Sequence, residues 1–343
     1  MFFALVGAGV GEFFPLEVSG ISLKLRRFAQ QKKNVDIIFV GSSRIYHGID
    51  PKTFDQTMKA NGHSWRSFNV GMDGMTTAEG FALVRRLLAL HPGKLKYVFF
   101  EAQPAISAGT PTGDAQGKQR DVYWRDWPSI RSGFRIFAQG LTWPGGILPG
   151  TPLSVRRLEE FGPRFVATAR LWFRNVTHVG SGMDLFEGAV DALPSHPSHR
   201  TPRKADRPNL PSDWNGYFAM SKPIAGETLA TYRKTFAEVQ DDVVKHAPDP
   251  MMRSELKRFA QEMAAKNVRV VFVVPPSLMA ARGSGTHAPD GSPLFAYDDV
   301  ARYPQFYEED NRLDTEHLNA RGAKIFSGKL AEDSCGALAP ATR

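Results

Sequence analysis

Cysteine is nearly absent: the 343 residues contain one, Cys335. That excludes a disulfide within the chain and any zinc site built on cysteine. It leaves the compartment open, since a chain without disulfides can work on either side of a membrane. Long apolar runs are missing too. No stretch reaches the ~20 apolar residues of a spanning helix, and the start lacks the basic residues of a signal peptide. There is no zinc-finger, RNP or helix-turn-helix pattern, so nucleic acid is set aside as a partner. No internal repeat is visible. His196 and His199 are spaced like a loose metal pair, but no third ligand lies nearby in sequence. No metal and no cofactor is expected.

What is present is ordinary globular composition, with 42% hydrophobic and 23% charged residues. A disordered chain, a collagen and a coiled coil are thereby excluded. The formal charge is +8, and between Gly117 and Pro211 there are fourteen Lys/Arg against eight Asp/Glu. Such a region suits an anionic surface such as phospholipid or acidic polysaccharide, or is simply a solvated face. Residues 1–34 form an apolar N-terminal segment carrying Phe2, Phe3, Phe13, Phe14 and Leu16, followed by Lys24, Arg26, Arg27, Lys32 and Lys33. It reads as a membrane-proximal stub or the end of a truncated anchor, with membrane association through residues 1–23. The alternative is a terminal strand or helix packed on the core. Two phosphate-loop look-alikes fail. Gly7-Ala8-Gly9 lacks the third glycine of a dinucleotide fingerprint, because Glu12 stands in its place. The Gly117-Lys118 loop has Thr112 for the first glycine and Gln119 for Ser/Thr.

Val35–Val40, Lys96–Glu101 and Val268–Val274 are apolar runs that read as strands, and Arg66–Val70 can form a further short strand. Asp50-Pro51 and Asp249-Pro250 are helix starts, Thr76-x-x-Glu79 is a capping box, and a last helix follows Asn319. Alternating strands and helices predict an α/β fold with a parallel sheet covered on both faces. From Pro104 to about Pro250 the pattern gives way to Gly, Pro and long loops, with helical stretches at Leu158–Asn175 and Thr228–Lys245. The expected organisation is therefore an α/β core at 35–104 and 249–333, an insertion at 105–248 acting as a lid or substrate groove, and a tail at 334–343. Working groups in such sheets sit beyond the carboxyl ends of the strands.

The loop after the first strand reads Gly41-Ser42-Ser43-Arg44. A serine there is well placed as an exposed nucleophile, but it needs a base. Asp314-Thr315-Glu316-His317 precedes the last helix. An aspartate three residues before a histidine can turn back to hold Nδ1, leaving Nε2 as base. Asn69 to Thr76 contains Gly71 and Gly74, where backbone N–H groups can approach an oxyanion.

At these residues the sequence resembles the SGNH (GDSL-like) hydrolase superfamily. Gly41-Ser42-Ser43-Arg44 is similar to its first block, with Ser43 at the nucleophile position and Ser42 where many members carry Asp. Asn69–Thr76 resembles the second block and Asp314-x-x-His317-Leu318-Asn319 the last. The resemblance covers a little under half of the chain. It implies a flavodoxin-like three-layer α/β/α fold with a central parallel sheet and a long, mostly helical or loop insertion. It also implies a Ser43–His317–Asp314 triad and an oxyanion hole from Ser43, Gly74 and a third donor. The chain departs at the third block, where Glu101-Ala102-Gln103-Pro104 has no Asn and Gln103 is the amide left to serve. Loss of one such donor typically costs ~10²–10³ in rate. The Gly-Ser-Ser-Arg form, the apolar start and the insertion look most like the bacterial cell-envelope branch of polysaccharide O-acetylation and D-alanylation. Members of that branch often work beside a membrane-bound O-acyltransferase.

Structural readings compete at each position. Ser43 and His317 could cap helices, and Asp314 could be a surface acid. Arg44 is expected to bind an anionic group or to form a surface salt bridge, and His47 to lie on the loop surface. Trp124, Arg125 and Trp127 are expected to contact sugar rings or to pack the insertion's core. The leading expectation is a serine esterase or O-acyltransferase, with acetyl as the acyl group, acting on a carbohydrate polymer of the cell envelope. It would sit at the periplasmic face, membrane-associated, with a cytoplasmic location left open. An accessory protein of the same fold with little or no chemistry, binding carbohydrate or a membrane-bound O-acyltransferase, is the alternative, and a lipid esterase or thioesterase a third.

Overall fold

The computed structural model describes residues 21–102, 131, 166, 169, 214–241, 250–278 and 291–338. The chain divides into two units, Met1–Ser19 with Gly109–Trp214 and Gly20–Ala108 with Asn215–Arg343. The described elements below all belong to the second.

Five strands build one sheet: β1 Ile37–Val40, β2 Ser67–Asn69, β3 Tyr97–Glu101, β4 Arg269–Val274 and β5 Leu294–Ala296. Their order is β2-β1-β3-β4-β5 and every pairing is parallel. This is the order of a common doubly wound α/β sheet, in which chain direction across the sheet switches between β1 and β3. The helices are α1 Ile21–Gln31, α2 Ser43–Gly48, α3 Pro51–Ala60, α4 Thr77–Ala89, α5 Gly226–Asp241, α6 Pro250–Ala264 and α7 Ala320–Ala337.

Successive strand side chains point to opposite faces, and β3 shows what each face holds. Phe99 packs against Phe39 and Phe54, with ring centroids 5.3 and 5.6 Å away. Ile37, Val271 and Val273 join them, roofed by Met58 of α3 and Phe326 and Leu330 of α7. Phe100 turns the other way and meets Phe81 of α4 at 5.2 Å and Phe259 of α6 at 5.1 Å. On that same side Phe28 of α1 lies edge-on to Phe68 of β2 at 5.9 Å. Helices therefore cover both faces, as the near-continuous apolar strands require. Each ring so buried contributes roughly 1.5–3 kcal/mol relative to exposure.

Local signals explain the helix starts. Asp50 caps α3 through Lys52 N–H at 3.1 Å, with Pro51 in the first turn. Thr76 and Glu79 form the reciprocal capping box of α4. Asn319 Oδ1 accepts the N–H groups of Arg321 and Gly322 to start α7.

Three features differ from the sequence expectation. Residues 21–31, read from the sequence as part of the segment 1–34, form helix α1 of the α/β unit with Lys24 buried, while residues 1–20 lie outside the described residues. Helix α5 belongs with the α/β unit, although the sequence pattern places it in the insertion. Its Tyr232 hydroxyl donates to the Tyr307 carbonyl, and Arg312 lies over the Tyr232 ring. Strand β5 was not foreseen. It has three residues and only partial burial, which leaves no apolar run to read. Among the described residues no helix is long and apolar enough to cross a membrane.

Candidate active site

β1 ends at Val40, and α2 begins at Ser43 after Gly41 and Ser42. Ser42 is the N-cap, its Oγ accepting the Arg44 N–H at 3.3 Å, so Ser43 occupies the first helical position. This beginning is fastened from β3. Glu101, the last residue of β3 and 2% exposed, accepts the Ser42 N–H at 2.5 Å and the Ser42 hydroxyl at 3.1 Å. Its Oε1 also pairs with the Arg44 guanidinium at 2.8 Å. Three donors compensate the burial of this carboxylate. The two residues flanking Ser43 are thus held by one side chain at the β1/β3 switch point.

Ser43 Oγ lies 2.7 Å from His317 Nε2. The opposite ring nitrogen, Nδ1, faces both Asp314 oxygens, at 3.0 and 2.9 Å. A carboxylate accepts only, so Nδ1 carries the proton, and Nε2 accepts from the Ser43 hydroxyl. Asp314 also receives the backbone N–H of Glu316 at 2.7 Å and of His317 at 2.8 Å. Burial works to raise its pKa, but the His317 hydrogen bond, the Glu316 N–H and the remaining His317 contributions together pull it down to about 2. Asp314 is therefore a fixed negative charge across the neutral range.

The Asp314 loop is supported from beneath. Arg312 is fully buried and donates from Nε to the Asp314 carbonyl at 3.1 Å and from Nη1 to the Pro276 carbonyl at 3.2 Å. Leu278 N–H donates to the Thr315 carbonyl at 2.9 Å. The segment after β4 is thereby joined to the loop that presents His317.

The loop after β2 is braced at both ends. Asn69 Nδ2 donates to the Ile45 and Ile49 carbonyls, each at 2.8 Å, and its Oδ1 accepts the Gly71 N–H at 2.9 Å. Lys24 Nζ reaches in from α1 to the carbonyls of Asn69 and Gly71 and lies 3.5 Å from the Tyr46 ring centroid. Burial draws its pKa well below the ordinary lysine value, opposed by the charge of Asp73. Asp73 Oδ1 in turn lies 3.0 Å from His47 Nε2, while His47 Nδ1 lies 2.9 Å from the Phe218 carbonyl. The His47 hydrogen bond is the main reason the Asp73 pKa is lowered; partial burial opposes it. Gly74 follows with φ +61°.

The structure brings Ser43, His317 and Asp314 together. It pairs Arg44, expected to bind an anionic group or to form a surface salt bridge, with the buried Glu101. It buries His47, expected on the surface, at 8% exposure, with its ring 6.4 Å from that of His317. Gln103, Trp124, Arg125 and Trp127 lie outside the described residues. Sequence reasoning missed Glu101, Lys24, Asn69 and Arg312 as the supports of this site. A lone Glu closing an apolar strand, and a lone Lys on the apolar side of an amphipathic helix, were the available signals. The chain matches no family model and no curated protein.

Proposed function

We propose that this chain is a serine ester hydrolase or O-acyltransferase of the SGNH type, acting on acyl esters of carbohydrate through an acyl-Ser43 intermediate. One observation carries the reading: Ser43 Oγ sits 2.7 Å from a histidine nitrogen whose opposite nitrogen is held by Asp314. Ser43 Oγ attacks the acyl carbonyl carbon as its proton passes to His317 Nε2. The tetrahedral oxyanion is received by the backbone N–H groups of Ser43 and Gly74. Collapse breaks the ester C–O bond, and His317 returns the proton to the departing alcohol oxygen. Water or a sugar hydroxyl then gives its proton to His317 and attacks the acyl-Ser43 carbonyl; the Ser43 Oγ–acyl bond breaks, His317 returns the proton to Ser43 Oγ, and acid or transferred ester is released.

Gln103 serves as the third oxyanion donor because it is the amide left in a block that lacks Asn, and the carbohydrate polymer, the periplasmic setting and a membrane-bound O-acyltransferase partner rest on the Gly41–Arg44 block, the apolar start and the insertion. Incubation with an acetyl ester, rapid acid quench and intact-mass measurement tests the chemistry. A one-acetyl mass increase that maps to Ser43 is expected. Ester turnover with no such adduct on Ser43, under conditions where deacylation is slowed, would remove the intermediate.

A further inference from the structure

Among the described residues, Val166 and Phe218 are the exposed large apolar side chains, and Phe218 alone belongs to the α/β unit. A single exposed apolar residue is ordinary in itself. The way this one is mounted is not. The segment Asn215–Met220 is fastened at three backbone points. The Asn215 carbonyl accepts the Asn69 N–H at 2.7 Å, and the Met220 carbonyl accepts the Ala320 N–H at 2.8 Å. Between them the Phe218 carbonyl takes His47 Nδ1 at 2.9 Å. These anchors are parts of the site: Asn69 closes β2 before the Gly74 loop, His47 lies in the helix that Ser43 begins, and Ala320 opens α7 three residues after His317.

The Phe218 ring lies 6.0 Å from the His47 ring, at 73°, and 6.2 Å from the Tyr46 ring. The His47 ring lies 6.4 Å from that of His317. Phe218 is thus two ring-to-ring steps from the base, with 46% of its surface open. The ester oxygen that leaves, or the hydroxyl that accepts the acyl group, must contact His317 Nε2 to exchange a proton. A group carried on that oxygen therefore stands on the His317 side of Ser43, the side on which the His47 and Phe218 rings follow one another.

We infer that Phe218 is a specificity-determining platform that stacks against the sugar ring bearing the reacting oxygen. The inference rests on the serine-ester reading above. It also names the substrate side: the alcohol part of the ester is a pyranoside, whose apolar C–H face lies on an aromatic ring, and the ring selects by binding and takes no part in proton transfer.

The test compares methyl 6-O-acetyl-α-D-glucopyranoside with methyl acetate, which presents the same acyl group without a ring. Phe218→Ala is expected to raise KM for the sugar ester about tenfold, with kcat little changed. Its kcat/KM on methyl acetate should stay at the wild-type value, which also shows that the variant is folded. Phe218→Tyr should restore the sugar-ester KM, and Phe218→Leu should not. An unchanged sugar-ester KM in Phe218→Ala, or equal losses on both esters, would overturn the platform. A loss confined to methyl octanoate would place Phe218 in an acyl-chain pocket and overturn it as well. A wild-type protein inactive on every one of these esters would instead remove the serine-ester reading, and the platform with it.

Discussion

Glu101 and Ser42 are joined twice: one carboxylate oxygen takes the Ser42 backbone N–H at 2.5 Å and the other its hydroxyl at 3.1 Å. The nucleophile candidate is the next residue. Glu101→Gln keeps the volume but places an NH2 where only donors are present, at Ser42 or at Arg44. We expect a stability loss of about 1–3 kcal/mol in urea unfolding. A fall in kcat of about 10–100-fold is expected beside a small change in KM, since misplacing a reacting group by ~1 Å can cost 10². A variant with wild-type kcat would show that Ser43 keeps its position without this carboxylate.

The two glycines after β2 should respond differently to alanine. A Cβ on Gly71 would meet Tyr46 N at 2.8 Å and Asn69 Oδ1 at 3.0 Å, both fixed by the surrounding hydrogen bonds. A Cβ on Gly74 meets nothing, but the residue has φ +61°. Gly74→Ala should cost about 1–2 kcal/mol, the left-handed penalty alone. Gly71→Ala should cost more, because backbone must shift. Thermal denaturation of both variants checks the order, and the reverse order would contradict the loop geometry.

Asp314 gives a pH signature. Its folded pKa, about 2, lies below the 3.8 of a free aspartate. A depressed carboxylate stabilises the fold above its unfolded pKa, and that contribution is lost as pH falls through the folded value. The stability difference between wild type and Asp314→Asn should therefore shrink between about pH 4 and about pH 2. Unfolding measured across that window checks it; a difference that stays constant would mean that Asp314 is not held as described.

Much of this arrangement was legible in the sequence. Strands β1, β3 and β4 are short apolar runs that end at glycine, proline or a polar residue, and burial on both faces makes such runs readable. Asp50-Pro51, Thr76-x-x-Glu79 and Asn319 act through neighbours within a few residues, so local pattern suffices. The Asp314-x-x-His317 turn is equally local. Glu101 and Lys24 were not legible as supports, because their partners are supplied by distant segments, and Arg312 was not because it ties the nearby Asp314 carbonyl to the Pro276 carbonyl 36 residues away. Glu101 reaches Ser42, 59 residues away in sequence, and Lys24 reaches Gly71, 47 away. A charged residue in a helix or at a strand end is ordinarily solvated, and only the packed sheet reveals that these are buried. His47 escaped for the same reason: its partners are Asp73 and the Phe218 carbonyl, neither close in sequence.

The central claim is that Ser43, not its neighbour Ser42, is the nucleophile activated by His317. Labelling with a fluorophosphonate serine probe, followed by peptide mapping, tests it most directly. The account predicts a single modified residue, Ser43, in the wild-type protein. Labelling should be abolished in Ser43→Ala, strongly slowed in His317→Ala, and retained in large part in Ser42→Ala. Undiminished labelling of Ser43→Ala, or loss of labelling in Ser42→Ala alone, would contradict it.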